Sequence, residues 1–196
     1  MRRDLHVGAR PVLVLASTSP RRSALLAAAG IPFVIGVPGP EPEACGPPKQ
    51  RAVERARSKA TLAVAPRGVK APILGVDTVV DLDGAEIPKA LDRHHADLLL
   101  RRLAGRVHQV HTAHCLVDAA SGCFREHLTT STVSCRPVDE EALRAYLDSG
   151  EWRGKAGAYG IQDDAQSFVS LVEGSFDTVV GLSLAAVRHL LNAGPE

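Results

Sequence analysis

The chain has almost no net charge. Its 23 Lys and Arg residues stand against 22 Asp and Glu, leaving +1 with histidine neutral. That balance excludes a globally basic nucleic-acid binder and a polybasic membrane binder, so any anion site must be local. No apolar run is long enough to span a bilayer. The four cysteines, Cys45, Cys115, Cys123 and Cys135, show no CxxC spacing, and free cytosolic thiols are expected. P-loop, GxSxG and HExxH patterns are missing, which argues against the chemistries they serve. Internal repeats and low-complexity segments are absent as well.

What is present is an ordinary globular composition, 45% apolar and 23% charged, over 196 residues. One domain covering 1–196 is expected, with a sizeable core. The N-terminus, MRRDLHVGARPVLVLAS, runs from basic to apolar in the manner of a signal peptide. Its apolar part is short and leads straight into a helix, so residues 1–10 read as a loose tail and Val12 to Ala16 as a first strand. A helix is expected at about 20–29, a strand from Pro32 to Val37 and a Pro/Gly loop at 38–48. A helix at about 49–65 follows, then a strand from Pro72 to Asp83 and a helix at 92–103. Val107 to Val117 and Cys123 to Ser134 read as a long antiparallel hairpin. A helix from Asp139 to Leu147, a glycine-rich loop from Gly150 to Gln162, a strand from Phe168 to Val172 and a helix at 181–192 complete the chain. The expected class is α/β, a mixed twisted β-sheet with flanking helices and the long hairpin.

The most informative stretch is LASTSPRRSALLAAAG, Leu15 to Gly30. Ser19 suits an N-cap, Pro20 the first helical position and Gly30 the far end. Arg21 and Arg22 do not suit the first turn, where the helix already carries partial positive charge. They make sense around a bound anion, held by free N–H groups and guanidinium forks, with phosphate the obvious candidate. The alternative is a solvated basic turn.

Other residues carry a similar tension. Asp77 interrupts the apolar strand GVDTVV, where an unpaired carboxylate is costly unless a metal or an activated water relieves it. A strand-end aspartate bonded to backbone N–H groups is the other reading. Lys59 falls on the inward stripe of Ala52, Ala56, Ala60 and Ala63, as if reaching into a cleft. KAGAYGIQ combines Lys155 and Gln162 with Gly154, Gly157 and Gly160 at every third position, which allows close backbone approach. Taken singly, Lys59 and Lys89 read as surface lysines, and Glu41 and Glu43 as solubilising loop charges. His108, His111 and His114 look like a metal series, but in a strand His111 faces away from the other two. A serine nucleophile at Ser17 or Ser19 with Lys59 as base is a minor alternative.

Together and in this order, LASTSPRRSALLAAAGIPF, ARSKA, GVDTVV, HQVHTA, KAGAYGIQ and GSFDTVVGLSL resemble the Maf family of nucleoside triphosphate pyrophosphatases. The resemblance runs from about Val12 to the last helix. It implies a Maf/ITPase-like fold with a central cleft and hydrolysis of a nucleoside triphosphate to monophosphate and pyrophosphate. It also implies a divalent cation (Mg2+, Mn2+ or Co2+), a cytoplasmic setting, homodimerisation, and no nucleic-acid or membrane partner.

By the same resemblance Asp77 is the catalytic acid–base residue and a metal ligand. The metal-associated loop glutamate is Glu43 or Glu41. Ser17, Arg21, Arg22, Lys59 and Lys89 fall on the phosphate side, and Lys155 belongs with the substrate groups. Arg21, Thr78 and Gln162 match three selectivity positions of the dTTP/UTP branch. Three departures stand out: Ala90 replaces a proline after Lys89, Asp163-Asp164 replaces a glycine after GIQ, and Trp152 replaces a proline. They suggest a loosened Lys89 turn and acids beside a phosphate pocket. Maf proteins are also linked with inhibition of septum formation, so a nucleotide-binding regulator without turnover is the alternative function.

Overall fold

The computed structural model describes residues 13–163 and 168–193. The expected tail at 1–10, Val12 and Asp164 lie outside the described residues.

Among the described residues the elements follow in order: β1 (Leu13–Ala16), α1 (Pro20–Ala28), β2 (Phe33–Ile35), α2 (Pro48–Thr61), β3 (Ile73–Leu82), β4 (Ala85–Ile87), α3 (Arg93–Leu103), β5 (Val107–Val117), β6 (Phe124–Cys135), α4 (Glu140–Ser149), β7 (Val169–Glu173), α5 (Phe176–Val180) and α6 (Leu184–Asn192). The strands form one mixed sheet in the order β2-β1-β3-β5-β6-β7, with β4 paired to β3. β1 runs parallel to β2 and β3, whereas β3, β5, β6 and β7 are successively antiparallel. The long hairpin is β5–β6, in register from Val107 opposite Ser134 to Val117 opposite Phe124. Among the described residues no helix is long and apolar enough to cross a membrane.

Period-two alternation divides the core between the faces of the sheet. Val79, Ala113, Cys115 and Val117 pack against Ala52, Ala56 and Ala60 of α2 on one face. Leu74, Val76 and Leu116 pack with Leu26, Val187 and Leu190 on the other. Val80, Val110 and Val133 continue that second face beneath Leu99, Leu100, Leu103, Leu143 and Leu147. Helix α2 lies close to β3 because Gly75 has no side chain. A Cβ there would meet the Ala56 carbonyl oxygen at 2.3 Å and the Ala60 nitrogen at 2.6 Å.

Some expectations need correction. β4 and α5 were not anticipated. β4 follows a two-residue turn in which Asp83 and Gly84 both have positive φ, the conformation an Asp-Gly hairpin favours. The helix expected at 181–192 is α6 and begins at Leu184, because Gly181 (φ +121°) ends the preceding α5 and Ser183 caps α6 through its bond from the Ala186 N–H. The strand expected to Val37 ends at Ile35, with Val37 in an isolated bridge to Val64. Ser19 occupies the N-cap of α1, yet its side chain makes no capping hydrogen bond. Gly30 does close α1: its N–H bonds the Ala27 carbonyl and the Ile31 N–H bonds that of Leu26.

Candidate active site

The site begins as a notch in the sheet. β1 pairs with β3 only from Ile73 to Gly75, and β4 pairs with the same edge only from Val80 to Leu82. Residues 76–79 therefore have no strand neighbour on that edge. A cavity of about 600 Å³ opens there and takes its walls from both faces of the sheet. Ser17, Arg21, Arg22, Glu41, Lys59, Asp77, Thr78, Lys89, Lys155 and Gln162 all border it. Glu43 does not; it is exposed on the same loop.

On the α2 face, Asp77 is buried and its Oδ1 accepts from Lys59 Nζ at 2.5 Å. Lys59 Nζ also lies 2.6 Å from Glu41 Oε1, so one ammonium bridges two carboxylates. The loop bearing Glu41 is pinned to α2 by the Gly39 N–H on the Lys59 carbonyl and by Ser58 Oγ on that of Pro40. Burial alone would raise the Glu41 carboxyl. The hydrogen bond and charge of Lys59, with Lys89 and Arg55, outweigh burial and hold it below its ordinary value. Asp77 Oδ2 is buried and has no hydrogen-bond partner. An orphaned carboxylate oxygen is expensive, and it marks where a ligand group belongs.

Arg21 and Arg22 behave differently from one another. The Arg22 guanidinium is committed to the protein. Its Nε donates to the Gly181 carbonyl (2.8 Å), and Nη1 donates to the Val76 carbonyl (2.8 Å) and Ser17 Oγ (3.0 Å). Nη2 reaches Thr78 Oγ1 at 3.3 Å. Arg22 thus satisfies the Val76 carbonyl on the open edge of β3 and ties α1 to the end of α5. Burial lowers its pKa to about 10, against the pull of Asp77, so it stays charged. Among the described residues Arg21 makes one side-chain hydrogen bond, Nε to the Val180 carbonyl at 3.4 Å, and its pKa is lowered by burial. With no side-chain cap at Ser19, the first-turn N–H groups of α1 are left for an anion.

The KAGAYGIQ loop forms the far wall. The Gly157 N–H bonds the Ile87 and Pro88 carbonyls, and Lys89 forms a bridge with Ala156. That bridge, and the Asp92 cap on the His95 N–H, fix the Lys89 turn without a proline at Ala90. Lys155 is ion-paired with Asp163, and burial followed by the Arg21 charge lowers its pKa. The pairing neutralises the acid next to the cavity. Gln162 Oε1 is buried without a partner. Trp152 fills the core, donating Nε1–H to the Leu147 carbonyl, and the Arg153 guanidinium lies over its ring at the cavity edge.

The histidines are built into the scaffold. His111 bonds Thr130 and Asp81 on the α2 face. His108 bonds the Tyr159 hydroxyl, and His114 meets the Ser183 N–H and the His127 carbonyl, on the other face. All four cysteines are free.

Sequence reasoning missed Arg55, Glu86, Arg153 and Tyr159. Arg55 was findable, since Arg51, Arg55 and Lys59 recur every four residues along α2. Glu86 was not, because its role depends on β4 folding back along β3.

Fold and site define a mixed-sheet α/β protein with a cationic cleft organised around one strand-borne carboxylate. The profile described as "Maf-like protein" matches residues 12–194, and the chain belongs to that family. It is 45% identical over 183 residues to a dTTP/UTP pyrophosphatase of Thermus thermophilus, covering 93% of this chain and 94% of the relative. A dTTP/UTP pyrophosphatase of Escherichia coli is 41% identical over 184 residues, covering 92% and 91% respectively. One of Rhodopseudomonas palustris is 41% identical over 201 residues, covering 93% and 91%.

Proposed function

We propose that this protein hydrolyses dTTP and UTP between the α and β phosphates, releasing the nucleoside monophosphate and pyrophosphate. The relatives named dTTP/UTP pyrophosphatase support the substrate class. The observation that carries the reading is Asp77: one oxygen on Lys59, the other buried, without a hydrogen bond among the described residues, and the residue bordering a cationic cavity. A binding-only role would leave that cost unexplained.

The oxygen donors suit a hard divalent cation. Asp77 Oδ2 makes no hydrogen bond, Glu41 shares Lys59 with Asp77, and among the described residues no histidine or cysteine borders the cavity. Asp77 and Glu41 are the residues that would hold Mg2+, Mn2+ or Co2+, whereas Glu43 is exposed and outside the cavity lining. When bound, the cation would offset phosphate charge and make the attacking water more acidic.

The chain's own groups do the rest. Arg21, Lys59, Lys89 and the open N–H groups of α1 hold the triphosphate. Asp77 orients the water and takes its proton as oxygen attacks the α-phosphorus. The bond from that phosphorus to the bridging oxygen breaks, and pyrophosphate carries away the electron pair. Ser17 and Arg22 shape the phosphate end, and Lys155 offsets charge near the base end. Gln162 can donate to O4 and accept from N3–H of uracil or thymine in one bidentate contact, beside Arg21 and Thr78. In the cytoplasm this activity would clear excess or non-standard nucleotides before polymerases use them.

The test is pyrophosphate release from a nucleotide panel with magnesium, manganese or cobalt. dTTP and UTP should turn over fastest. Absence of release from every nucleotide overturns the reading.

A further inference from the structure

Arg55 stands between two carboxylates. It donates Nη1–H to Glu86 Oε1 at 2.6 Å and Nη2–H to Glu86 Oε2 at 3.2 Å. The same Nη1 lies 3.9 Å from Asp77 Oδ2, beyond hydrogen-bond reach. That oxygen is the unpartnered one. The side chains of Arg55, Glu86 and Asp77 are 19%, 15% and 7% exposed, so solvent screens their attraction weakly. Burial lowers the Arg55 pKa less than the Glu86 hydrogen bond raises it, and Arg55 stays a full cation.

The fold holds Glu86 firmly. It sits opposite Asp81 in the β3–β4 pairing, on the face that carries Asp77 and packs under α2. Arg51 Nη1 reaches its Oε2 at 3.2 Å from one turn earlier in the helix. Lys59, Arg22 and Glu41 also lie near Asp77, and Lys59 already occupies Oδ1. A guanidinium shift of about 1 Å would close the gap to Oδ2 and cap it. The paired bonds to Glu86 are what oppose that shift.

We propose that Glu86 is a positioning residue: by anchoring Arg55, it keeps Asp77 Oδ2 open to an incoming cation or water. This rests on the role given to Asp77 above. Plain charge counting gives a loss of the same sign for Glu86→Gln, so the variant that separates the two is Glu86→Asp, which keeps the charge and withdraws the anchor.

The experiment compares the wild-type chain, Glu86→Gln and the double variant Glu86→Gln/Arg55→Met. Each is checked for folding by thermal melting. Mn2+ binding is followed by its electron paramagnetic resonance signal without nucleotide, and kcat is measured for dTTP. Glu86→Gln should weaken Mn2+ binding and lower kcat, each by roughly tenfold, with KM changing less. The double variant should recover both to within about threefold of wild type, because the capping guanidinium is gone. Glu86→Asp, which retracts the anchor but keeps its charge, is measured as well, beside Glu86→Asp/Arg55→Met. Glu86→Asp should also lose Mn2+ binding. Wild-type binding in Glu86→Asp, with loss only in Glu86→Gln, means simple charge removal and overturns the proposal. Unchanged Mn2+ binding in the folded single variant overturns the proposal. So does a double variant as weak as the single one, since the loss is then structural. Failure of the proposed function shows separately, as a wild-type chain that binds Mn2+ but releases no pyrophosphate.

Discussion

Lys59 Nζ sits 2.5 Å from Asp77 Oδ1 and 2.6 Å from Glu41 Oε1, joining a helix, a strand and a loop through one ammonium group. Two carboxylates this close would repel each other without it. The cation both assembles the site and leaves Asp77 with one oxygen to spare.

Asp77→Asn keeps the shape of the side chain and removes its charge and basicity. We expect kcat for pyrophosphate release to fall by roughly 10²–10⁴-fold with circular dichroism unchanged. A loss of less than about threefold would remove Asp77 from the proton-transfer role.

Lys59→Met leaves Asp77 buried without its hydrogen-bonded cation, with Arg55 3.9 Å away as the remaining ion-pair partner. Breaking a buried pair in this way costs about 3–5 kcal/mol, readable as a lower urea midpoint. Turnover should fall with it, and stability should return in Lys59→Met/Asp77→Leu while turnover does not.

Gly75→Ala places a methyl group against the α2 backbone. The helix must move or the strand must bend, at a cost of about 1–3 kcal/mol. Because α2 carries Lys59, kcat should drop as well, although Gly75 is outside the cavity lining. Wild-type kcat and stability in this variant would show that α2 has room to spare.

Gln162→Glu removes the amide N–H donor proposed to face O4 of the pyrimidine. KM for dTTP and UTP should rise by roughly tenfold or more, with a smaller change in kcat. Unchanged pyrimidine turnover would reject the contact.

Stability should fall between neutral pH and pH 4. Burial holds both His108 and His114 at a pKa of about 4, below the ordinary value of 6.5. The unfolded chain therefore binds more protons than the folded one in that window. The stabilisation is complete above pH 6.5 and is lost as pH falls towards 4. For His114 the cause is visible. Nδ1–H donates to the His127 carbonyl while Nε2 accepts from the Ser183 N–H, so protonation at Nε2 breaks the join between β5 and the start of α6. Urea unfolding at pH 7 and pH 5 should show the loss, and His114→Asn should flatten it.

Much of the fold was legible in the chain. The β5–β6 hairpin followed from two β-rich runs around a short polar link, and α2 from the alanine stripe that also marked Lys59 as inward-facing. Asp77 announced itself by interrupting an apolar strand. Other features were hidden because they depend on partners distant in sequence. Arg22 read as a phosphate ligand by its place in the first turn. Its buried guanidinium instead spends four contacts on Gly181, Val76, Ser17 and Thr78. Glu41 and Glu43 were indistinguishable as neighbours in a Pro/Gly loop, until the pinning of Gly39 and Pro40 to α2 brought only Glu41 over Lys59.

The sequence by itself determined the local conformations: where helices begin and stop, which stripe of each faces inward, and that an acid and a lysine interrupt apolar patterns. Those depend on side-chain periodicity and backbone preference, which act over a few residues. Only the tertiary structure decided that β1 and β4 leave residues 76–79 of β3 uncovered, so that a cavity opens through the sheet beside Asp77. Strand order and register arise from packing among elements far apart in the chain, and electrostatic partnership follows distance in space. That is why the charges could be listed from the sequence, while their pairing could not.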